Sequence, residues 1–435
     1  MSLPIQESTI ETLRNPPQQR SYTHHLTITT AAQASTLGLS VLTGVLAARL
    51  LGPQGRGELA ALTLWPATLV FLASMGINQA IVYHLGQKTY TLSQVWTAST
   101  VIGLGQSALA ILAGLVVIPF ALRHFSHDVQ ALCLAVLAIS PFIILSGYPA
   151  NILQGHLDLI SFNLIQMAAP CTYALSIVFL AAIHRGYLRD IVVWRLITYV
   201  FAFFFGYALL LRRTTLRFNW QLGAGLSLLR FGWKTELGNV SNYVNRSVDQ
   251  LILSLFIPAH DLGLYAVAVT VSLAINFLPQ AAGVVALAAG SANAAEAVGV
   301  IRRSFRTSLT WLLCGCGALF MAAPFLITTV FGHAYAGSVL ACRILLPGTV
   351  AIGLSQVLYD GARALGDPAL SSYSEGFATV LTVVALCILL PRLGYLGAAI
   401  ASTLAYSASF CITLFLLRSR TGIDPSQLFF LSQTR

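Results

Sequence analysis

Twelve apolar runs, each long enough to cross a bilayer, follow one another along this chain: 28–50, 59–84, 95–122, 130–153, 160–183, 190–211, 234–257, 262–288, 307–332, 336–359, 372–391 and 395–417. About 20 consecutive apolar residues span the hydrocarbon core as a helix. Backbone groups in lipid must be satisfied within the segment, and the runs are too long for barrel strands. The expected fold is therefore an all-α, polytopic membrane protein. Composition agrees, with 57% hydrophobic residues and 9% charged, where a soluble domain has about 25% charged. The runs leave no room for a soluble catalytic domain, which excludes ATPases, soluble oxidoreductases and nucleic-acid-binding domains.

Net charge is +10, and every basic residue except Lys88 and Lys234 is arginine. In a soluble chain that balance points to nucleic acid; here the cytoplasmic excess of Lys and Arg in membrane proteins accounts for most of it. With the N-terminus inside, the inner breaks and tails hold about 15 basic residues and the outer ones about 6, so both termini are expected in the cytoplasm. The outer set is Arg49, Arg56, Arg123, Arg185, Arg189 and Arg392. The longest break, 212–233, carries Arg212, Arg213, Arg217 and Arg230. It divides the chain into six-helix lobes at 28–211 and 234–417, between polar tails at 1–27 and 418–435. No charged-then-apolar leader with a cleavage site precedes the first span, which is expected to act as the signal itself.

The lobes look like weak copies of each other. Ala48-Arg49-Leu50-Leu51-Gly52-Pro53-Gln54-Gly55-Arg56-Gly57-Glu58-Leu59 joins spans one and two, and Leu255-Phe256-Ile257-Pro258-Ala259-His260-Asp261-Leu262-Gly263-Leu264-Tyr265-Ala266 joins spans seven and eight. Both are short turns with Pro and Gly that feed straight into the next helix. Two copies of an even number of spans share one orientation, so their axis runs along the membrane normal, as in transporters.

Polar residues inside the spans point to a wet interior. Thr29, Gln33, Thr36, Ser40 and Thr43 form one stripe on span one, and Asn239, Asn242, Tyr243, Arg246, Asp249 and Gln250 form a stronger one on span seven. Such a stripe is either glue between helices or the wall of a cavity. Arg246 and Asp249 are three residues apart and can pair on one helix face. An unpaired charge at mid-bilayer costs roughly 2.5–3.5 kcal/mol on insertion scales, so Arg195, Arg343, Glu236 and Glu375 call for a shared polar interior. Arginines there attract an anionic head group such as a phosphate or diphosphate. Asn276 and Gln280 flank Pro279 and give span eight a polar face; Pro66, Pro141, Pro149, Pro170, Pro324 and Pro347 are further kink or hinge points.

No Walker, HExxH or GxSxG motif is present, and no long loop carries paired carboxylates. The seven cysteines lie in apolar stretches without metal-type spacing, and neither a cofactor nor an enzymatic activity is expected. With no ATP site, accumulation of cargo calls for a coupling ion, H⁺ or Na⁺, with Asp249, Glu236 and Glu375 as candidate carboxylates.

The stretch Leu46-Ala47-Ala48-Arg49-Leu50-Leu51-Gly52-Pro53-Gln54-Gly55-Arg56-Gly57 resembles the opening of bacterial polysaccharide (O-antigen type) flippases of the multidrug/oligosaccharidyl-lipid/polysaccharide exporter superfamily. Leu153-Gln154-Gly155-His156, Leu228-Leu229-Arg230-Phe231-Gly232, Val248-Asp249-Gln250-Leu251, Leu262-Gly263-Leu264-Tyr265-Ala266-Val267-Ala268, Leu365-Gly366-Asp367 and Leu393-Gly394-Tyr395-Leu396-Gly397-Ala398-Ala399-Ile400-Ala401 agree, in the expected order. The resemblance implies two six-helix lobes in a V around a cationic cavity, in the bacterial inner membrane. The implied cargo is an undecaprenyl-diphosphate-linked oligosaccharide turned from the inner to the outer leaflet, with a polysaccharide polymerase or export machinery as partner. Two other readings compete. A drug/cation antiporter of the same superfamily would want a cavity dominated by carboxylates, and a membrane-embedded glycan polymerase or ligase would want a large outer loop with acid/base residues.

Overall fold

The computed structural model describes residues 17–292, 294–365, 367, 369–421, 424 and 426–429, and among them every regular element is helical. The elements are α1 (Pro17–Ser74), α2 (Ile77–Gly86), α3 (Leu92–Ala121), α4 (His127–Ala138), α5 (Ser140–Gly155), α6 (Leu159–Ala182), α7 (Leu188–Arg213), α8 (Leu222–Phe256), α9 (Ala259–Leu273), α10 (Phe277–Ala292), α11 (Ala294–Leu326), α12 (Ser338–Ala364), α13 (Ala369–Thr421) and the short α14 (Ser426–Phe429). Nine stretches of the described residues are long and apolar enough to cross a membrane. Two of them, in α1 and α13, are each a pair of rods joined at a glycine. Gly52 (φ 65°) and Gly394 (φ 56°) take backbone conformations that a Cβ disfavours, and Pro53 then opens the next rod without needing its missing N–H. The polar face of α8 keeps it out of the nine. With α8 added and the two pairs divided, helical rods cover all of the expected spans.

Span eight is interrupted, and its sequence says why. One 3₁₀ turn, Ala274–Asn276, separates α9 from α10. Pro279 has no N–H to give the Ile275 carbonyl one turn earlier. That carbonyl is satisfied instead by the indole of Trp311 in α11, at 3.0 Å.

Two segments differ from expectation. Helix α1 already starts at Pro17, inside the expected polar tail. The expected linker 212–233 shrinks to 214–221, because α8 begins at Leu222. The first turns of α8 are amphipathic and pack on the first half of the chain: Phe231 stacks on Tyr83 (4.1 Å between centroids), Ser227 Oγ lies 3.3 Å from His84 Nε2, and Tyr90 donates to the Gly223 carbonyl. Ala224 and Leu228 thus belong to a core otherwise built from residues 77–210. A freely moving linker is not what this packing describes; the segment is held to the first half.

The two halves also meet at the end of the bundle that carries Gly52. There the start of the second α1 rod crosses the start of α9 so closely that backbones touch. A Cβ built on Gly57 would lie 1.7 Å from the Ala259 carbonyl oxygen, and one on Gly263 would lie 2.0 Å from that of Pro53. Gly57 stands four residues after Pro53 and Gly263 four after Ala259, and each glycine meets the carbonyl that precedes the other, so the crossing is reciprocal. Buried Tyr335 donates to the Ala48 carbonyl at 2.9 Å, and Arg49 donates to the carbonyls of Thr329 and Val330. Those carbonyls belong to a single π-helical turn, Ile327–Phe331, that ends α11. A cation at a helix C-terminus satisfies carbonyls left without partners there. Arg49, read from the sequence as a loop residue, is therefore a clasp between halves.

Candidate functional site

Among the described residues, three cavities stand out inside the bundle, two in the first half and one in the second. The first, about 380 Å³, opens between both rods of α1, α6 and α7, and its walls include Ser40, Thr43, Arg56, Tyr173, Arg195 and Tyr199. The neighbouring one, about 350 Å³, shares Thr63, Arg195 and Tyr199 with it and continues along α5 and the second α1 rod. Helical spacing puts Tyr199 one turn after Arg195. The guanidinium Nε donates to the Tyr199 hydroxyl at 3.3 Å, and its carbon sits 5.0 Å from the Tyr173 ring centre and 5.9 Å from that of Tyr199. Cation–π contact of this kind stabilises a partly desolvated arginine by about 1–2 kcal/mol. Arg56 has no such support: its Nε is buried with no hydrogen-bond partner.

The cavity of the second half is small, about 70 Å³, and is lined by Arg246, Asn276, Gln280, Gln356 and Tyr406 among others. Arg246 is exposed into it and donates to Gln356 Oε1 at 3.1 Å; the amide of Gln356 donates to Asp360 at 3.2 Å, and Asp360 pairs with Arg363 at 2.9 Å. The amide thus relays between Arg246 and a carboxylate already engaged elsewhere. Asn276 comes from the 3₁₀ turn of span eight, and its side-chain oxygen is buried without a partner. Among the described residues, none of the three linings contains Asp or Glu.

The polysaccharide biosynthesis protein family matches residues 45–340. The chain belongs to this family. A curated relative, the EPS I polysaccharide export inner membrane protein EpsE of Ralstonia nicotianae, is 28% identical over 212 residues, which are 46% of this chain and 48% of that protein. The match thus spans about half the length of the relative. Among solved structures, the lipid II flippase MurJ in an inward-closed conformation aligns with TM-score 0.77 at 16% identity, covering 92% of this chain and 88% of that one. An inward-facing multidrug resistance MATE family transporter of the MOP superfamily aligns with TM-score 0.74 at 16% identity, over 91% and 96% of the two chains. At such identity the likeness is one of fold: this family member has the MurJ/MATE-like helical architecture.

Within that architecture the expected site residues do not share one chamber. Arg246, Asn276 and Gln280 come together, and Arg195 lies in the other half. Arg343 is engaged between α11 and α12, donating to the Phe320 carbonyl at 3.1 Å with its guanidinium 4.7 Å above that ring. The pairing of Arg246 with Asp249 is not formed. Asp249 is buried and turned toward α9 and α13, where it accepts from the Tyr265 hydroxyl at 2.5 Å and from Ser402 at 3.2 Å. Two hydroxyls at fixed positions in the packed core outcompete a flexible guanidinium that opens on a cavity. Tyr243 is spent on the contact between halves, stacked on Phe71 at 4.1 Å with its hydroxyl 3.1 Å from that of Thr68. Span seven therefore faces span two, rather than the stripe of span one.

The remaining candidates divide in the same way. Glu236 and Glu375 are buried in the second half, Glu375 beside Tyr359. Of the span-one stripe, Ser40 and Thr43 reach the larger cavity, and the hydroxyls of Thr36, Ser40 and Thr43 donate to carbonyls one turn back. Gln33 and Asn242 belong to α1 and α8, and their side chains lie outside the described residues. The sequence reading missed Arg56, which it assigned to an outer turn, together with Tyr173, Tyr199 and Gln356. The signal for Arg56 was available in Gly57, since a turn that must admit another backbone carries its neighbours inward.

Proposed function

We propose that this family member is a flippase that carries an undecaprenyl-diphosphate-linked oligosaccharide from the inner to the outer leaflet of the bacterial cytoplasmic membrane, for cell-surface polysaccharide export. One observation carries the reading: each of these three interior cavities is lined by arginine and, among the described residues, none of them by a carboxylate. A low-dielectric chamber of that sign attracts an anionic head group and repels the cations that a drug antiporter would take. Both termini face the cytoplasm, and the Gly52 end faces outward. Transport proceeds by alternating access, with the contacts of Gly57, Gly263, Arg49 and Tyr335 closing the outer side of a twelve-span bundle whose halves, 28–211 and 234–417, rock against each other. The loaded lipid passes next to a polymerase or export machinery.

Arg246 holds the diphosphate, since its planar donor fork matches phosphate oxygens in a way a lysine point charge does not. Asp249 is the leading candidate for coupling to H⁺ or Na⁺, with Glu236 and Glu375 behind it; Tyr406 lines the Arg246 cavity and lies within electrostatic reach of both Arg246 and Asp249. In vesicles with a fluorescent lipid-linked sugar, Arg246→Ala is expected to slow flipping by at least about tenfold, the loss of one charge-assisted contact, and Arg246→Lys to recover only part of it. Ethidium efflux is expected to be absent. Wild-type flipping by a well-expressed Arg246→Ala protein would remove the residue from the site, and ethidium efflux would favour the antiporter. Collapse of the proton or sodium gradient is expected to slow net transport; insensitivity to both would mean downhill exchange without a coupling ion.

A further inference from the structure

The larger cavity of the first half is distinct in its chemistry from the pocket at Arg246. Its serine and threonine hydroxyls have already used their protons. Ser40 donates to the Thr36 carbonyl, Thr43 to that of Leu39, Thr63 to that of Leu59 and Thr198 to that of Trp194, each at 2.9–3.0 Å. What these four side chains turn to the cavity is therefore acceptor oxygen. The strong donors are two guanidiniums, Arg56 and Arg195, near enough to act on each other's charge and with no Asp or Glu in the lining to neutralise either. Arg195 is positioned by two tyrosines, whereas the buried Nε of Arg56 has no partner at all. Two neighbouring guanidiniums with no carboxylate in the lining attract a ligand that brings an oxyanion to them.

The complement of such a wall is a molecule with an oxyanion at one place and several hydroxyl donors around it. We infer that this cavity binds an acidic sugar of the cargo glycan, its carboxylate held by Arg56 and Arg195 and its ring hydroxyls donating to Ser40, Thr43, Thr63 and Thr198. A bare diphosphate would satisfy the arginines and leave the four acceptor oxygens unanswered; a neutral sugar would do the reverse. At about 380 Å³ the cavity falls within the ordinary range of small-ligand sites, roughly 300–1,000 Å³. The inference rests on the reading that the cargo is an oligosaccharide, and it narrows that cargo to one containing a uronate or a similarly carboxylated residue.

Equilibrium dialysis on the full-length protein in nanodiscs tests this with three probes: digalacturonate, the neutral disaccharide lactose and inorganic pyrophosphate. Digalacturonate is expected to bind at least tenfold more tightly than lactose, and not to be displaced by an equal concentration of pyrophosphate, which the separate Arg246 pocket accepts. Arg56→Gln and Arg195→Gln are each expected to weaken it at least tenfold, with Arg56→Lys in between. Because Arg56 Nε has no partner, Arg56→Gln is expected to run as a monodisperse, normally expressed protein. Equal binding of lactose and digalacturonate, displacement of digalacturonate by an equal concentration of pyrophosphate, or indifference to both Arg56 and Arg195 would each overturn the assignment. The outcomes separate from those for the flippase. A protein that binds digalacturonate through these arginines but flips no lipid-linked sugar would keep this site and lose the transport reading. One that flips lipid-linked sugar but shows no preference among the probes would keep the transport and lose the acidic sugar.

Discussion

Gly57→Ala and Gly263→Ala are each expected to force the bundle open at its Gly52 end and to lower flipping by about tenfold or more. The reason is the nature of the neighbour. At 1.7 Å and 2.0 Å the added Cβ would meet main-chain carbonyl oxygens of Ala259 and Pro53, which have no rotamer with which to step aside. Overpacking of a tight contact costs typically 1–3 kcal/mol, and every 1.4 kcal/mol changes the ratio of closed to open forms tenfold. The open arrangement that the proposed alternating access calls for, with the two rods apart, would not incur that cost. Spin labels at Gln54 and His260, both exposed beside the crossing, report the change directly once the seven native cysteines are replaced. Pulsed EPR is expected to give a longer and broader distance distribution for either alanine variant than for the parent. Identical distributions would show that the glycine crossing does not set closure. Gly57→Leu should be more severe than Gly57→Ala; a smaller effect from the larger side chain would point to a cause other than contact.

Asp249→Ala is expected to be the most destabilising single change in α8, and removing Arg246 is not expected to rescue it. Asp249 accepts from Tyr265 and Ser402 inside a packed core. Its truncation strands two buried hydroxyls, one of which, on Tyr265, is among the largest fully buried side chains. Each stranded polar group costs about 1–3 kcal/mol. The two hydroxyls lie 3.1 Å apart and can still bond each other, so the loss should stand nearer one such cost than two. Asn at 249 keeps an acceptor and is expected to be milder. In a double-mutant cycle on thermal unfolding in detergent, Asp249→Ala and Tyr265→Phe should be coupled by about 0.5–3 kcal/mol, as neighbours in one network are. Asp249→Ala with Arg246→Ala should add within about 0.5 kcal/mol. Recovery of stability in the latter pair would restore the salt bridge that the helical spacing suggested.

That spacing is a fair sample of what the sequence gets right and where it stops. Residues 246 and 249 do share a face of α8, as a period of 3.6 requires. A face is about a third of the helix circumference, however, and the direction each side chain takes within it depends on what stands opposite. Tyr265 and Ser402 come from helices that follow Asp249 by 16 and 153 residues, and no local pattern announces that they meet it. The same holds for Arg195, whose place in a polar interior was legible from its position within an apolar run, while the rings of Tyr173 and Tyr199 that hold it were not.

By itself the sequence determined the helices, because lipid leaves the backbone no other way to satisfy its hydrogen bonds, and it suggested a repeat through the two Pro- and Gly-bearing turns at 48–59 and 255–266. It also pointed to cavities lined by arginine, since Arg195 and Arg246 lie within spans and were bound to turn from lipid. Tertiary structure alone decided which charges share a chamber. It placed Arg246 with Asn276 and Gln280, Arg195 with Arg56, and Arg343 against Phe320, and it took Asp249 away from Arg246 altogether. The physical reason is one of range: hydrogen bonding along a helix and partition into lipid are settled within some twenty residues of chain. Cavity walls, by contrast, are assembled from rods hundreds of residues apart, whose mutual approach is set by side-chain volume at crossings such as Gly57 on Ala259.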